Sequence, residues 1–320
     1  MALSEKKQQN GELSTEEALK LVKEGVNYNG VEEAILILGH VRSATTAMLR
    51  MGVASGRPGF YQPVKARLRQ LMSGQKILNQ LNLLAEADHI VQQYSGLKNA
   101  NPRHIIVKET VGVKKPIESD LPYFQLHREL ANSADTNLRV LLTARHPASA
   151  YASCMKTYGE ALNDDQLLNE LFIRSQLAFY QQVEQVQQSG LDHVLVAHGL
   201  LDTSAKYPAY SEDLARKIFA CLDVQIADGT LSLTQNWASL SPEEGYKPAS
   251  SGIYFPQEPG MNELNEKAHA RVMGSTGLGI GQEDVNGATL EIEGYKSESA
   301  EISRRYGNFY EESSKQLGFG

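Results

Sequence analysis

Two sets of arginine and hydroxyl side chains, each at the exit of an apolar run, are the residues of this chain best suited to hold an anion. In the first, Ala34 to Leu38 reads as a buried strand that stops at Gly39 and continues as His40-Val41-Arg42-Ser43-Ala44-Thr45-Thr46. An apolar-periodic helix follows from around Ala44 to about Val53. A strand, a tight turn and a helix start aim unpaired N–H groups and the positive end of the helix dipole at one point. Ser43, Thr45 and Thr46 add hydroxyl donors, and Arg42 adds a fixed positive charge. In the second set, the apolar run Leu138 to Ala144 leads into Arg145-His146-Pro147 and on to Ser153. Pro147 suits the first turn of a helix. At a rise of about 1.5 Å per residue, Arg145 then lies just before that helix and Ser153 roughly two turns in, so both can converge on one anion.

The first loop is not the triphosphatase phosphate loop, which needs Gly where this chain has Ala44 and Lys where it has Thr45. Losing that lysine removes the usual way of placing magnesium and a γ-phosphate, so a P-loop phosphotransferase is the weaker reading. Residues Val41 to Thr46 instead resemble the Lys/Arg-Ser-Gly-Thr-Thr loop with which sulfotransferases hold the 5′-phosphosulfate of 3′-phosphoadenosine 5′-phosphosulfate (PAPS). Arg145, Pro147 and Ser153 are similar to that family's Arg-x-Pro with a Ser eight residues after the Arg, the binding site of the 3′-phosphate. The resemblance spans residues 34 to 222. It implies an α/β fold: a P-loop-type parallel sheet of four to five strands flanked by helices, with a loop-rich C-terminal region. The implied activity moves the sulfuryl group of PAPS to a hydroxyl or amine of a small-molecule acceptor, a metabolite or natural product, and leaves 3′-phosphoadenosine 5′-phosphate (PAP). Implied cofactor contacts are Arg42, Ser43, Ala44, Thr45, Thr46, Arg145 and Ser153.

Elsewhere the family pattern is broken. Lys108, at the end of a third strand from 103 to 110, matches a family lysine, but the histidine expected two residues later is Thr110. Gln62 stands before Pro63 where many members have an acid. The fourth strand, 193 to 197, ends at His198 where members contact adenine, so that match is of position only. Arg271 with Gly274 is a weak substitute for a 3′-phosphate clamp, and the glycine-dense 274 to 281 reads equally as a lid. Sulfuryl transfer needs cations near the leaving oxygen and a base for the acceptor's proton. Arg42 and Lys108 are the cation candidates. For the base, Glu109 comes first, His127 second and His40 third, with pairing to a Lys or Arg at a strand end as the plain alternative for Glu109. Missing residues at both usual base positions keep open a nucleotide-binding protein without catalysis.

The elements that must position these groups are one domain over 1–320, in three parts. Residues 1–30 form an N-terminal helical extension, opened by a Ser14 and Glu17 capping box. Residues 31–224 form a nucleotide-binding core, and 225–320 an acceptor and lid region closed by a helix at 301–316. Helices are also expected at 64–72, 75–95, 166–188 and 211–222, and Trp237, Tyr246 and Tyr254 are candidate acceptor-pocket residues. A chain of 320 residues with 41% hydrophobic content can bury a sizeable core. Its net charge of −7 argues against nucleic acid or another polyanion and suits a neutral or cationic acceptor, such as a guanidinium alkaloid. No run approaches the roughly 18 residues of a membrane span, and the N-terminus lacks a signal peptide's apolar segment. Cys154 and Cys221 have no metal-ligand spacing and read as buried free thiols of a cytoplasmic protein, with no metal implied. A homodimer is compatible with the sequence, which leaves the oligomeric state open.

Overall fold

In the computed structural model of the chain, residues 14–72, 80–200, 208–225, 252–254 and 289–319 are described. The Ser14–Glu17 capping box starts α1 (Thr15–Gly25), and β1 (Val26–Asn27) follows directly. The central strand β2 (Glu33–His40) is buried along nearly its whole length, as its unbroken apolar run requires of a parallel strand covered on both faces. It runs through the loop 41–44 into α2 (Thr45–Ala54), then β3 (Gly59–Tyr61) and α3 (Pro63–Met72). After β4 (Leu81–Asn82) and α4 (Leu83–Gln93) come β5 (His104–Val111), α5 (Pro116–Asp120) and α6 (Tyr123–Ser133). Next are β6 (Asn137–Ala144), α7 (Pro147–Leu162), α8 (Asp165–Gln188), β7 (His193–Ala197) and α9 (Pro208–Ala220). The last described elements are β8 (Ile253–Tyr254) and α10 (Lys296–Gln316).

The main sheet is parallel, in the order β7-β6-β2-β5-β3-β8, and β1 pairs with β4 in a second, two-stranded sheet. Helices lie against both faces. Ile106 meets α2, where Gly52 has no room for a Cβ, while His40 and Glu109 face α8 and α6. Strand alternation therefore assigns even and odd residues of β5 to different helices. Register aligns Ile37 with Lys108 and Gly39 with both Thr110 and Thr143, so the exits of β2, β5 and β6 open at one level. Crevices outside such carboxyl ends are where open parallel sheets bind ligands.

Three expectations change. The sheet has six strands among the described residues rather than four or five, because β3 and β8 lie in turn-rich segments too short to show a period. Residues 75–95 are not one helix: Leu81 and Asn82 form β4, and Asn82 then caps α4 by accepting the Ala85 N–H at 3.1 Å. Cys221 is exposed, in the turn after α9, and only Cys154 is buried. The closing helix has an unanticipated role at the edge of the sheet. Ser313 Oγ donates to Leu195 O at 2.7 Å and accepts from Ala197 N at 2.9 Å, while Gln316 Oε1 accepts from Leu195 N at 2.8 Å. Side chains of α10 thus satisfy the outer groups of β7, which would otherwise be open to pairing. None of the described helices is long and apolar enough to cross a membrane.

Candidate functional site

The first anion block is built as its sequence suggests, with an unexpected backbone. Arg42 and Ala44 both adopt positive φ, 68° and 67°. This reversal folds the loop back so that Ser43 turns inward, its hydroxyl donating to His40 O at 2.6 Å and sharing a hydrogen bond with Thr143 Oγ1 at 2.9 Å. Ser43 closes the loop onto β6, and Thr45 is buried at the start of α2 while Thr46 is half-buried. Gly39 makes this closure feasible, because a Cβ there would strike Thr143 and the Ser43 hydroxyl. Donors left for an anion are the N–H groups of the first turn of α2, which have no partner within the helix, together with the exposed Arg42. A left-handed alanine costs about 1–2 kcal/mol, and a glycine's extra freedom in the unfolded chain returns about 0.4–1 kcal/mol of that. Ala44→Gly is therefore expected to stabilise the fold by about 0.5–1 kcal/mol in denaturant titrations.

The second block meets the first. Arg42 Nε donates to Ser153 Oγ at 2.8 Å across 111 residues of sequence. Ser153 lies on α7, whose first residue is Pro147, with the half-buried Arg145 just ahead of it. Cys154, next to Ser153, registers both cations. Burial pushes its thiol up to about 12, against the opposing pull of Arg42 and Arg145. Both guanidinium groups thus lie close enough to this stretch of α7 to favour the thiolate of Cys154.

Beside these blocks, the exit of β5 is gripped by α3. Gln62 N donates to Lys108 O at 2.7 Å, Val64 N to Glu109 Oε1 at 2.8 Å and Lys65 Nζ to Thr110 O at 3.0 Å, so three neighbours on one element hold three on the other. The Gln62 side chain adds a hydrogen bond to the Thr110 hydroxyl. Lys65 and Arg69 are one helical turn apart and both reach Glu118 of α5, at 3.2 Å and 2.8 Å. Gly112 passes so close that a Cβ would run into Glu118 and Lys65. Glu118 is held down at about 2 by these two cations against its burial, and burial pushes Lys65 down to about 8. Lys108 lies over the Tyr61 ring, 4.1 Å from its centroid, and Lys114 lies 5.9 Å from the Tyr158 ring. The strand exits therefore carry Arg42, Arg69, Lys65, Lys108 and Lys114 against Glu118. Their local charge is opposite to the net charge of the chain, so that net charge gives no warrant for a cationic acceptor.

Glu109 and His127 are not brought to this opening. Lying next to Lys108 on a strand, Glu109 points to the other face, where it is fully buried and caps the start of α3 through the Val64 N–H. His127 is fully buried on α6, its Nδ1 hydrogen-bonded to Tyr28 Oη at 2.7 Å and its Nε2 lying 3.6 Å from Glu109 Oε1. His40 also turns inward, Nε2 to Ser175 Oγ at 2.7 Å and Nδ1 to Val41 O at 2.8 Å. Burial drives the His40 imidazole down to about 3. Its neutral form is kept in the fold and freed to protonate on unfolding. Stability from this group is complete above about pH 6.5 and lost as pH falls towards about 3, by about 1.4 kcal/mol per unit. Denaturant titrations at neutral pH and near pH 5 are expected to show wild type losing about 2 kcal/mol more than His40→Gln.

His198 is buried at the exit of β7, one strand beyond β6. Arg271, Gly274, the glycine-dense 274–281, Trp237 and Tyr246 lie outside the described residues, whereas Tyr254 lies on β8 with its ring tilted against that of Phe60, centroids 5.7 Å apart. Among the described residues, no group of His, Cys, Asp and Glu is placed to hold a metal ion. Sequence reading passed over Lys65, Arg69 and Glu118. The available signal was Lys65 and Arg69 at the spacing of one helix face, on a helix whose starting Pro63 abuts a strand end.

No protein-family model and no curated protein matches the chain. Among solved structures, a likeness is found to "Sulfotransferase Domain from the Curacin Biosynthetic Pathway", at 13% identity over 86% of this chain and 98% of that one, with a TM-score of 0.41.

Proposed function

We propose that this chain is a sulfotransferase that moves the sulfuryl group of PAPS to a hydroxyl or amine of a small molecule. The observation that carries the reading is the Arg42–Ser153 hydrogen bond, which joins the two anion blocks at the adjoining exits of β2 and β6. In this reading the first turn of α2, with Thr45 and Thr46, receives the 5′-phosphosulfate and Arg42 offsets the charge that grows on the leaving oxygen. Arginine keeps its proton, so the contribution of Arg42 is electrostatic. Arg145 and Ser153 take the 3′-phosphate. Ser43 acts from behind by fixing the loop, its hydroxyl and its N–H both donating to His40 O. PAPS fits these residues at its phosphate ends, where cations and unpaired N–H groups collect. His198 remains the proposal for the adenine end, Arg271 with Gly274 for a second clamp on the 3′-phosphate, and 225–320 for the acceptor and lid.

The second reading, a protein that binds the nucleotide without turnover, is favoured by one observation: Glu109 and His127 both face away from the opening. Calorimetric titration with PAP beside ATP tests the common part of both readings. Tight binding of PAP that ATP does not reproduce supports them, while no binding, or preference for ATP, overturns them. Transfer of radiolabelled sulfuryl from PAPS to any member of a panel of neutral, anionic and cationic hydroxyl and amine compounds then excludes the second.

A further inference from the structure

With all three sequence candidates for the base, Glu109, His127 and His40, turned away, Lys108 at the exit of β5 is a side chain among the described residues still able to accept a proton. We propose that Lys108 is the proton acceptor of this site, a buried amine with no carboxylate bonded to it, set beside the cations of α3 that Glu118 holds. The inference rests on the sulfotransferase reading for its chemistry and on this chain's own geometry for the state of the amine.

Lys108 is 2% exposed, and its side-chain amine makes no hydrogen bond or ion pair among the described residues. Its neighbours decide its charge. Tyr61 of β3 offers a ring face, which favours the ammonium weakly. Glu109 of β5 also favours it, but from the opposite face of the strand and while bonded to Val64 N. Against these stand burial without a carboxylate partner and the positive charges of Arg69 and Lys65 on α3. Glu118 of α5 answers those two cations with a single charge, which leaves the cluster positive. Burial prevails, and the Lys108 amine is pushed down to about 7, where a group both accepts and releases protons near neutrality. During transfer the neutral amine takes the acceptor's proton and becomes ammonium as the acceptor oxygen or nitrogen bonds to sulfur. The bond from sulfur to the bridging oxygen breaks, and its electron pair stays on the 5′-phosphate of PAP. The ammonium then loses its proton to water. Lys65, Arg69 and Glu118 are positioning residues in this scheme.

The test is a pH titration of the full chain carrying carbon-13 at the lysine Cε, followed by NMR, with Lys108→Arg to assign the resonance. A Lys108 midpoint near 7 that moves upward in Arg69→Gln is expected. A midpoint in the ordinary lysine range overturns the proposal, and a low midpoint that neither Arg69→Gln nor Lys65→Met moves overturns the part played by the cluster. PAP calorimetry on the same samples separates this from the nucleotide reading. Absence of PAP binding with a low midpoint condemns the nucleotide assignment alone, whereas PAP binding with an ordinary midpoint condemns only the base. In a PAPS assay with a working acceptor, Lys108→Arg is expected to keep PAP binding and lose turnover. Full turnover in that variant overturns the proposal.

Discussion

Glu118→Ala is expected to cost the fold about 3–5 kcal/mol in denaturant titrations at neutral pH, the penalty for breaking a buried ion pair from one side. The substitution strips Lys65, itself 2% exposed, of its only carboxylate among the described residues and leaves Arg69 without the acceptor it reaches at 2.8 Å. Lys65→Met is expected to cost less, because Arg69 still satisfies Glu118 and the methionine fills the space of the lysine stem. The pH dependence identifies the cause. Lys65 has a folded value near 8, below its unfolded 10.5, so the unfolded chain binds more protons between the two and wild-type stability rises with pH there. Without Glu118 the folded value drops further and the window widens downward. The difference between Glu118→Ala and wild type should narrow as pH is raised from neutral towards 10. A constant difference would mean that lost packing, not the stranded cation, causes the loss.

Arg145→Ala is expected to weaken PAP binding about 10- to 150-fold, the equivalent of about 1.5–3 kcal/mol for a hydrogen bond to a charged group. Arg42→Ala should weaken it by a similar factor and also free the Ser153 hydroxyl that Arg42 now engages. Because both arginines act on the same stretch of α7, their losses should not add, and a double-variant cycle in the calorimeter should return a coupling of about 0.5–3 kcal/mol. Arg304→Ala, on the exposed face of α10 where the side chain pairs with Glu301, is the control and should leave PAP binding unchanged. Unaltered affinity in Arg145→Ala would remove the second anion block from the proposed site.

The parts legible in the sequence were those built from neighbours along the chain. The run at 34–38 is wholly apolar and that at 138–144 is broken only by Arg139 and Thr143, so both read as buried strands. Gly39 and Pro147 then mark where strand gives way to turn and helix, and both helices start where those residues imply. The short strands β3 and β8 were not legible, because three or two residues pair only when a neighbouring strand already offers its edge. Ala44 shows a different limit: at a position where the resembled loop has glycine, its backbone nonetheless takes the left-handed conformation. Tertiary contacts outweigh that local preference.

The sequence alone pointed to the α/β class, to two strand–turn–helix units as candidate anion sites, and to Arg42, Arg145, Ser153 and Lys108 as the side chains to consider. Only the tertiary structure decided what those side chains meet. It bonds Arg42 to Ser153, turns Glu109 to the helix-capping face, and sets Lys65 and Arg69 against a carboxylate that lies 49 residues beyond Arg69 in the chain. Strand periodicity puts neighbours such as Lys108 and Glu109 on opposite faces, but it does not say which helix covers which face. That choice arises from sheet order and helix packing, which bring together residues far apart in the chain. The charge at a buried lysine follows from those distant partners.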